Sequence, residues 1–175
     1  MNRRTELSKR GELLRGICPP KWFKRKCDGC SVPTKVAKKA FLAKMLRAAC
    51  DIHDADYFCI AIYYKVGSNK CDIARKHADW QFKKNIKTVS KGFGRFRFLG
   101  WFLSPLYYWG VRIGGGVAMR EPEEKRNKWP VTESEYLDMV AMLDSFAVLS
   151  PVVNGTTTRR EIMLRRMRKG VIDGM

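Results

Sequence analysis

Two apolar stripes with helical spacing, joined by a short turn, limit what this chain can fold into more than any other feature of its sequence. Apolar side chains recur every three or four residues over roughly 40–64, which predicts an amphipathic helix. Gly67-Ser68-Asn69 interrupts the pattern, which restarts over about 72–87. Because the connection is short, we expect the two helices to pack antiparallel.

The composition favours one folded domain with an anionic partner. The chain has 175 residues, and hydrophobic residues make up 45% of them, which excludes a wholly disordered basic tail. It carries 35 Lys and Arg against 17 Asp and Glu, so its formal net charge is +18. Such a charge predicts attraction to polyanions, and both anionic lipid headgroups and nucleic acid belong to that class.

All six cysteines lie within the first 71 residues. This density suits disulfides or a metal site. Cys59 and Cys71 flank the turn between the two predicted helices, and we expect them to form one pair. The N-terminus lacks the apolar run of a secretory signal, because Lys9 and Arg10 interrupt it. A viral or phage particle component, or a protein released by lysis, would combine these properties.

The segment 98–111 contains no charged residue. Gly100 and Pro105 interrupt it, and it is shorter than the roughly 20 apolar residues of a transmembrane helix. It either completes the core or forms an interfacial patch, flanked by Arg95, Arg97 and Arg112, that meets anionic lipid. The aromatic residues of such a patch would be Trp101, Phe102, Tyr107, Tyr108 and Trp109.

Two capping-box patterns mark helices in the last third of the chain. Thr132 is followed three residues later by Glu135, and Thr158 by Glu161. The second of these helices is rich in arginine, which fits a solvated face or a surface that binds anionic membrane or nucleic acid.

The residues that suggest chemistry lie on the two long predicted helices. His53 and Tyr57 share one face of the first helix because they are four residues apart, whereas Asp54 is rotated by about 100° toward an adjoining site. Histidine, whose unperturbed pKa is about 6.5, suits proton transfer near neutral pH. Asp79 lies on the second predicted helix.

A loop ahead of the first helix offers oxygen ligands. In Asp28-Gly29-Cys30-Ser31, Asp28 supplies carboxylate oxygens and Gly29 lets the backbone turn so that carbonyl oxygens converge. Ca²⁺ accepts about six to eight oxygen ligands of this kind. Together with Asp54, this loop predicts a calcium site.

These residues resemble a known family. Asp28-Gly29-Cys30-Ser31, the run from Ala49 to Tyr57 containing His53-Asp54, and Ala78-Asp79-Trp80-Gln81-Phe82 are similar to the phospholipase A2 superfamily, particularly its short microbial and viral members. The resemblance covers about residues 27–87. It implies that His53 is the general base that activates water for attack on the sn-2 ester of a glycerophospholipid. It further implies that Asp79 fixes the ring tautomer and that Tyr57 bonds to Asp79.

The resemblance also implies a cofactor and a crosslink. Asp28, the Gly29 carbonyl and Asp54 would bind Ca²⁺, which would stabilise the oxyanion, and Cys30 would form a disulfide with Cys50. The loop is shorter than the glycine-rich calcium loop of the animal secreted enzymes, and Ala49 stands where those enzymes have a second cysteine.

A zinc site is the main alternative. Cys27-x₂-Cys30 followed by Cys50-x₂-His53 has the ligand spacing of a structural Cys₃His zinc module. The basic termini of such a protein would bind nucleic acid. An inactive structural relative of the lipases is the third possibility.

We therefore expect an all-α fold of two long antiparallel disulfide-linked helices, preceded by a calcium loop and followed by further helices. Four segments are expected: a basic N-terminal segment (1–26), a catalytic core (27–90), the aromatic segment (91–120) and a basic helical region (121–175). The expected function is calcium-dependent phospholipase A2-type hydrolysis at an anionic phospholipid surface, without a transmembrane span.

Overall fold

The computed structural model describes the backbone of residues 40–118, 132–149 and 157–172, and the side chains of 46–115, 132–144 and 160–169. These residues form five α-helices and a 3₁₀ turn at Gly94–Phe96, and no strand occurs among them. The helices are α1 (Ala40–Tyr63), α2 (Asn69–Ser90), α3 (Arg97–Ala118), α4 (Glu133–Leu149) and α5 (Thr157–Ile172). The all-α class is therefore confirmed for this part of the chain.

The turn between α1 and α2 lies where the sequence predicts it. Gly67 has a φ of 84°, a left-handed conformation that glycine adopts without steric cost. The hydroxyl of Ser68 accepts a hydrogen bond from the Cys71 backbone N–H at 3.2 Å, which caps the first turn of α2. Because Ser68 already serves as the cap, α2 starts at Asn69, a few residues earlier than the predicted start.

Helices α1 and α2 pack antiparallel along their length. The end of α1 shares a buried apolar cluster with the start of α2, where Ile60 and Tyr63 lie with Cys71 and Ala74. A second cluster joins the start of α1 to the end of α2, as Leu46 with Val89 illustrates. The predicted helix pair is thus present, and its middle brings His53 near Asp79.

No disulfide connects α1 to α2 among the described cysteines, so the predicted Cys59–Cys71 pair is wrong. Both side chains are buried thiols. Each lies in the apolar cluster that joins the two helices, where cysteine packs as a small hydrophobic residue. Apolar packing rather than a crosslink holds this end of the pair together.

Helix α3 runs back along α2, and its close approach depends on a small residue. A Cβ on Gly100 would overlap the Ser90 side chain. Pro105 lies inside α3 and cannot donate to the Trp101 carbonyl four residues earlier. The hydroxyl of Ser104, which is fully buried, donates to that carbonyl at 3.5 Å. Proline is tolerated there because a neighbouring side chain offers a replacement donor.

Helices α4 and α5 cover the C-terminal half of α1. Met139, Leu143 and Met163 are buried in the same cluster as Ile52 and the other α1 side chains. The predicted cap of α4 is confirmed, since the Thr132 hydroxyl accepts from the Glu135 backbone N–H at 3.2 Å. The side chain of Thr158 lies outside the described residues.

None of the described helices combines the length and the hydropathy that crossing a bilayer requires.

Candidate active site

The structure brings His53, Asp79 and Tyr57 together at the centre of the antiparallel pair. The Nε2 atom of His53 lies 2.9 Å from Oδ1 of Asp79. The phenol of Tyr57 donates to the same Oδ1 at 2.6 Å. Both contacts depend on the pairing of α1 with α2, because His53 and Tyr57 lie on α1 and Asp79 lies on α2.

The hydrogen bond to Asp79 determines which ring nitrogen of His53 carries the proton. Asp79 is completely buried and His53 is nearly so. Because a carboxylate only accepts hydrogen bonds, Nε2 of His53 carries the proton in the hydrogen bond to Asp79. The neutral ring then has its lone pair on Nδ1, which is the atom that can accept a proton.

Two aromatic rings pack against the imidazole of His53. The ring of Phe82 stacks on His53 with a centroid distance of 4.4 Å and an interplanar angle of 21°. Tyr57 lies at 4.3 Å in a tilted arrangement. Phe82 comes one helical turn after Asp79 on α2, so one face of that helix supplies both the carboxylate and the stacking ring. The imidazole therefore has little rotational freedom.

Tyr57 stays protonated in this setting. Burial raises the pKa of its phenol far above the usual value, and the neighbouring Asp79 carboxylate raises it further. The hydroxyl is consequently a permanent donor to Asp79. A Cβ on Gly115 of α3 would overlap the Tyr57 hydroxyl, so the absence of a side chain there lets α3 close over the tyrosine.

Arg112 is a site residue that the sequence analysis did not identify. The interfacial interpretation of the aromatic segment placed it beside anionic lipid, but its Nη1 donates to Oδ2 of Asp79 at 3.0 Å and its side chain is largely buried. Its second amine lies 3.5 Å from Oδ1 of Asp72. The only sequence signal is that Arg112 ends the uncharged segment. Its direction follows from the way α3 packs on α2.

The predicted calcium ligands are only partly described. Asp54 lies half-buried on α1, directly after His53. Asp28, Gly29 and their loop lie outside the described residues. Within the described side chains, no three His, Cys, Asp or Glu residues converge as a metal site would require. One carboxylate falls short of the six or so oxygens that Ca²⁺ needs, so the calcium site depends on the loop.

Cys50 bears on both the predicted disulfide and the zinc alternative. Cys50 is disulfide-bonded. Its expected partner, Cys30, lies outside the described residues. Cys27, the remaining ligand of the zinc hypothesis, lies there as well. A sulfur in a disulfide cannot act as a zinc thiolate. The Cys₃His site therefore receives no support from Cys50.

The aromatic residues of α3 divide between two faces. Trp101, Phe102 and Trp109 are exposed, with 70%, 67% and 62% of their surface accessible. Tyr107 instead packs into the apolar cluster of α1 and α2, with its ring edge toward Phe82. Tyr108 is half-buried beside Lys83, whose amine lies 5.2 Å from the ring. Tyr107 therefore belongs to the core and not to a surface patch.

Comparison of the chain with protein-family models, curated proteins and solved structures finds no match. The assignment of function consequently depends on the geometry of the site.

Proposed function

We propose that this protein is a calcium-dependent phospholipase A2-type hydrolase that cleaves the sn-2 ester of glycerophospholipids at an anionic membrane surface. The observation that supports the proposal is the buried hydrogen bond between His53 and Asp79, with Tyr57 donating to the same carboxylate oxygen. This is the arrangement that a water-activating histidine needs, and no nucleophilic side chain is required.

In the proposed reaction, Nδ1 of His53 takes a proton from water while the water oxygen attacks the sn-2 carbonyl carbon. Asp79 stabilises the imidazolium that forms, because its Oδ1 accepts from the opposite ring nitrogen. The imidazolium then returns the proton to the departing glycerol oxygen. The products are a fatty acid and a lysophospholipid, and the ring ends neutral.

Calcium, when bound by Asp54 and the loop residues Asp28 and Gly29, would supply positive charge for the developing oxyanion. Asp79 and Phe82 orient the His53 ring, and together with Tyr57 they exclude water from its Nε2 side.

The outer face of α3 supports a lipid substrate. Six large apolar side chains of this helix are exposed, and they recur at helical spacing along one side. We call this surface the α3 ridge; its residues are Phe98, Trp101, Phe102, Leu106, Trp109 and Ile113. A continuous exposed apolar surface of this kind is typical of a docking site, and tryptophan favours the headgroup level of a bilayer.

The charge around the α3 ridge complements anionic headgroups. No Asp or Glu occurs between Asp79 and Glu121. Lysines of α2 lie beside the ridge, and the amine of Lys87 is 5.9 Å from the Trp101 ring. Because α3 also carries Arg112, which contacts Asp79, docking through this ridge would place the membrane on the helix that covers the site.

The first test is fatty-acid release from phosphatidylglycerol vesicles in the presence of calcium. We expect His53→Ala to reduce the rate by about 100-fold to 10,000-fold, the range that general-base catalysis contributes. A calcium chelator should abolish release by the unaltered protein.

His77 provides the matched control, because it is the second of the chain's two histidines and lies on α2 outside the Asp79 group. His77→Ala should hydrolyse lipid at the unaltered rate. Release that survives both the chelator and His53→Ala would reject the mechanism.

A further inference from the structure

The carboxylate of Asp79 uses its two oxygens for different partners. Oδ1 accepts from the His53 ring and from the Tyr57 phenol, at 2.9 and 2.6 Å. Oδ2 accepts from Nη1 of Arg112 at 3.0 Å. Rotation of the carboxylate would break this division, so the contact at Oδ2 controls which oxygen faces the imidazole.

Of these three partners of Asp79, Arg112 is the one that carries a charge. The Tyr57 phenol is protonated, since burial raises its pKa, and the resting His53 ring is neutral in the proposed mechanism. Asp79 is completely buried, and a buried carboxylate without a nearby cation is strongly unfavourable. The guanidinium of Arg112 supplies the counter-charge and a directed hydrogen bond at once.

The guanidinium is itself held in place. Its Nη2 lies 3.5 Å from Oδ1 of Asp72, which is two helical turns before Asp79 on α2. Arg75 binds the same Asp72 oxygen at 2.9 Å, and its other amine donates to the Arg112 carbonyl at 3.5 Å. Hydrogen bonds from Arg75 and Lys76 hold the pKa of Asp72 below its usual value, so this anchor stays ionised.

We propose that Arg112 is a positioning residue for His53, the general base, and for Asp79, the carboxylate that orients it. It keeps Oδ2 of Asp79 occupied, so that Oδ1 remains directed at Nε2 of His53. The inference rests on the proposed function and adds α3 to the active site. Helix α3 would then control the orientation of the general base His53 on α1, through its contact with Asp79 on α2.

The test compares two substitutions of similar volume. Arg112→Met removes the charge, whereas Arg112→Lys retains it without the guanidinium fork. We expect Arg112→Met to lower kcat about 10-fold to 100-fold, the usual range for a residue that orients a catalytic ligand through one intervening group. Arg112→Lys should recover part of this loss. KM for phosphatidylglycerol vesicles should change little in either variant, because the Arg112 guanidinium is bound to Asp79 and Asp72.

A measurement on the ring itself separates this inference from the proposed activity. Nitrogen NMR of the imidazoles reports the tautomer, and His77→Ala identifies which of the two signals belongs to His53. We expect protonation at Nε2 in the unaltered protein and a mixture of tautomers in Arg112→Met. This result would support the positioning role even in a protein that released no fatty acid.

Arg47→Met is the matched control. Arg47 pairs with Asp51, which is also completely buried and lies on the same helix as His53. The control removes an arginine from a buried aspartate without touching Asp79, so kcat and the His53 signal should not change. An unaltered His53 signal in folded Arg112→Met would overturn the inference. So would equal losses of kcat in Arg112→Met and Arg112→Lys, because packing alone would explain them.

Discussion

At the scale of single residues, the partner of the Tyr57 hydroxyl distinguishes the proposed active site from ordinary core packing. It donates to Asp79, whereas the hydroxyl of Tyr63, a buried tyrosine less than two turns further along α1, donates to the Leu143 carbonyl at 3.2 Å. Both phenols have a raised pKa because they are buried, and both remain donors. Their partners differ, and only one of these partners contacts His53.

We therefore predict different outcomes for the two phenylalanine substitutions. Tyr57→Phe should destabilise the fold by about 2 kcal/mol, the usual value for a hydrogen bond to a charged group, and should lower kcat roughly tenfold. Tyr63→Phe should cost about 1 kcal/mol of stability and leave kcat unchanged. Urea unfolding and fatty-acid release measure the two effects. Equal kcat in both variants would show that the phenol of Tyr57 does not assist the base.

At the scale of helices, α3 is fitted to the site through its glycines. Gly115 is buried against Tyr57, whereas the adjacent Gly114 is exposed and has nothing within 4 Å of a would-be Cβ. An alanine at Gly115 would therefore conflict with Tyr57, whereas an alanine at Gly114 in the same helix would not.

We predict that Gly115→Ala destabilises the protein by about 1–3 kcal/mol, the usual cost of overpacking, and lowers kcat by displacing Tyr57 from Asp79. Gly114→Ala should stabilise α3 by up to about 1 kcal/mol, because alanine favours the helix. Thermal unfolding compares the stabilities. If both variants gained stability and kept full activity, α3 would not contact Tyr57 in solution.

At the scale of the whole molecule, the positive charge and the α3 ridge should act together in membrane binding. Leu106 on the ridge and Leu137 on α4 are both exposed leucines, with 68% and 58% of their surface accessible. Leu106→Ser should weaken binding to phosphatidylglycerol vesicles about 10-fold to 100-fold, since burying one leucine side chain is worth about 1.5–3 kcal/mol. Leu137→Ser should have no effect. Sedimentation with vesicles at several salt concentrations provides the measurement.

Binding to the anionic vesicles should also weaken as salt increases, because ionic screening reduces the attraction between lysines and headgroups. Equal binding by the two leucine variants would exclude the ridge as the docking surface. Loss of a dimer in Leu106→Ser alone, seen by analytical ultracentrifugation, would indicate that a second copy covers the ridge instead.

The sequence by itself determined the two long helices and the turn between them, and the family resemblance implied that His53 meets Asp79. Helical spacing places each side chain on a known face, and a short connection leaves an antiparallel pair as the favoured packing. Those are local constraints. They say nothing about the redox state of Cys59 and Cys71, which the tertiary structure keeps as thiols within an apolar cluster.

Only the tertiary structure decided the orientation of α3. The large apolar side chains of the α3 ridge lie on the exposed side, so the hydropathy pattern of this helix does not identify the face that packs inward. Contact with Ser90 at Gly100 and with Tyr57 at Gly115 selects the inner face. Arg112 is thereby directed to Asp79, and Trp109 to the surface. The rotation of a helix about its own axis depends on what it packs against, which the hydropathy pattern of that helix alone does not determine.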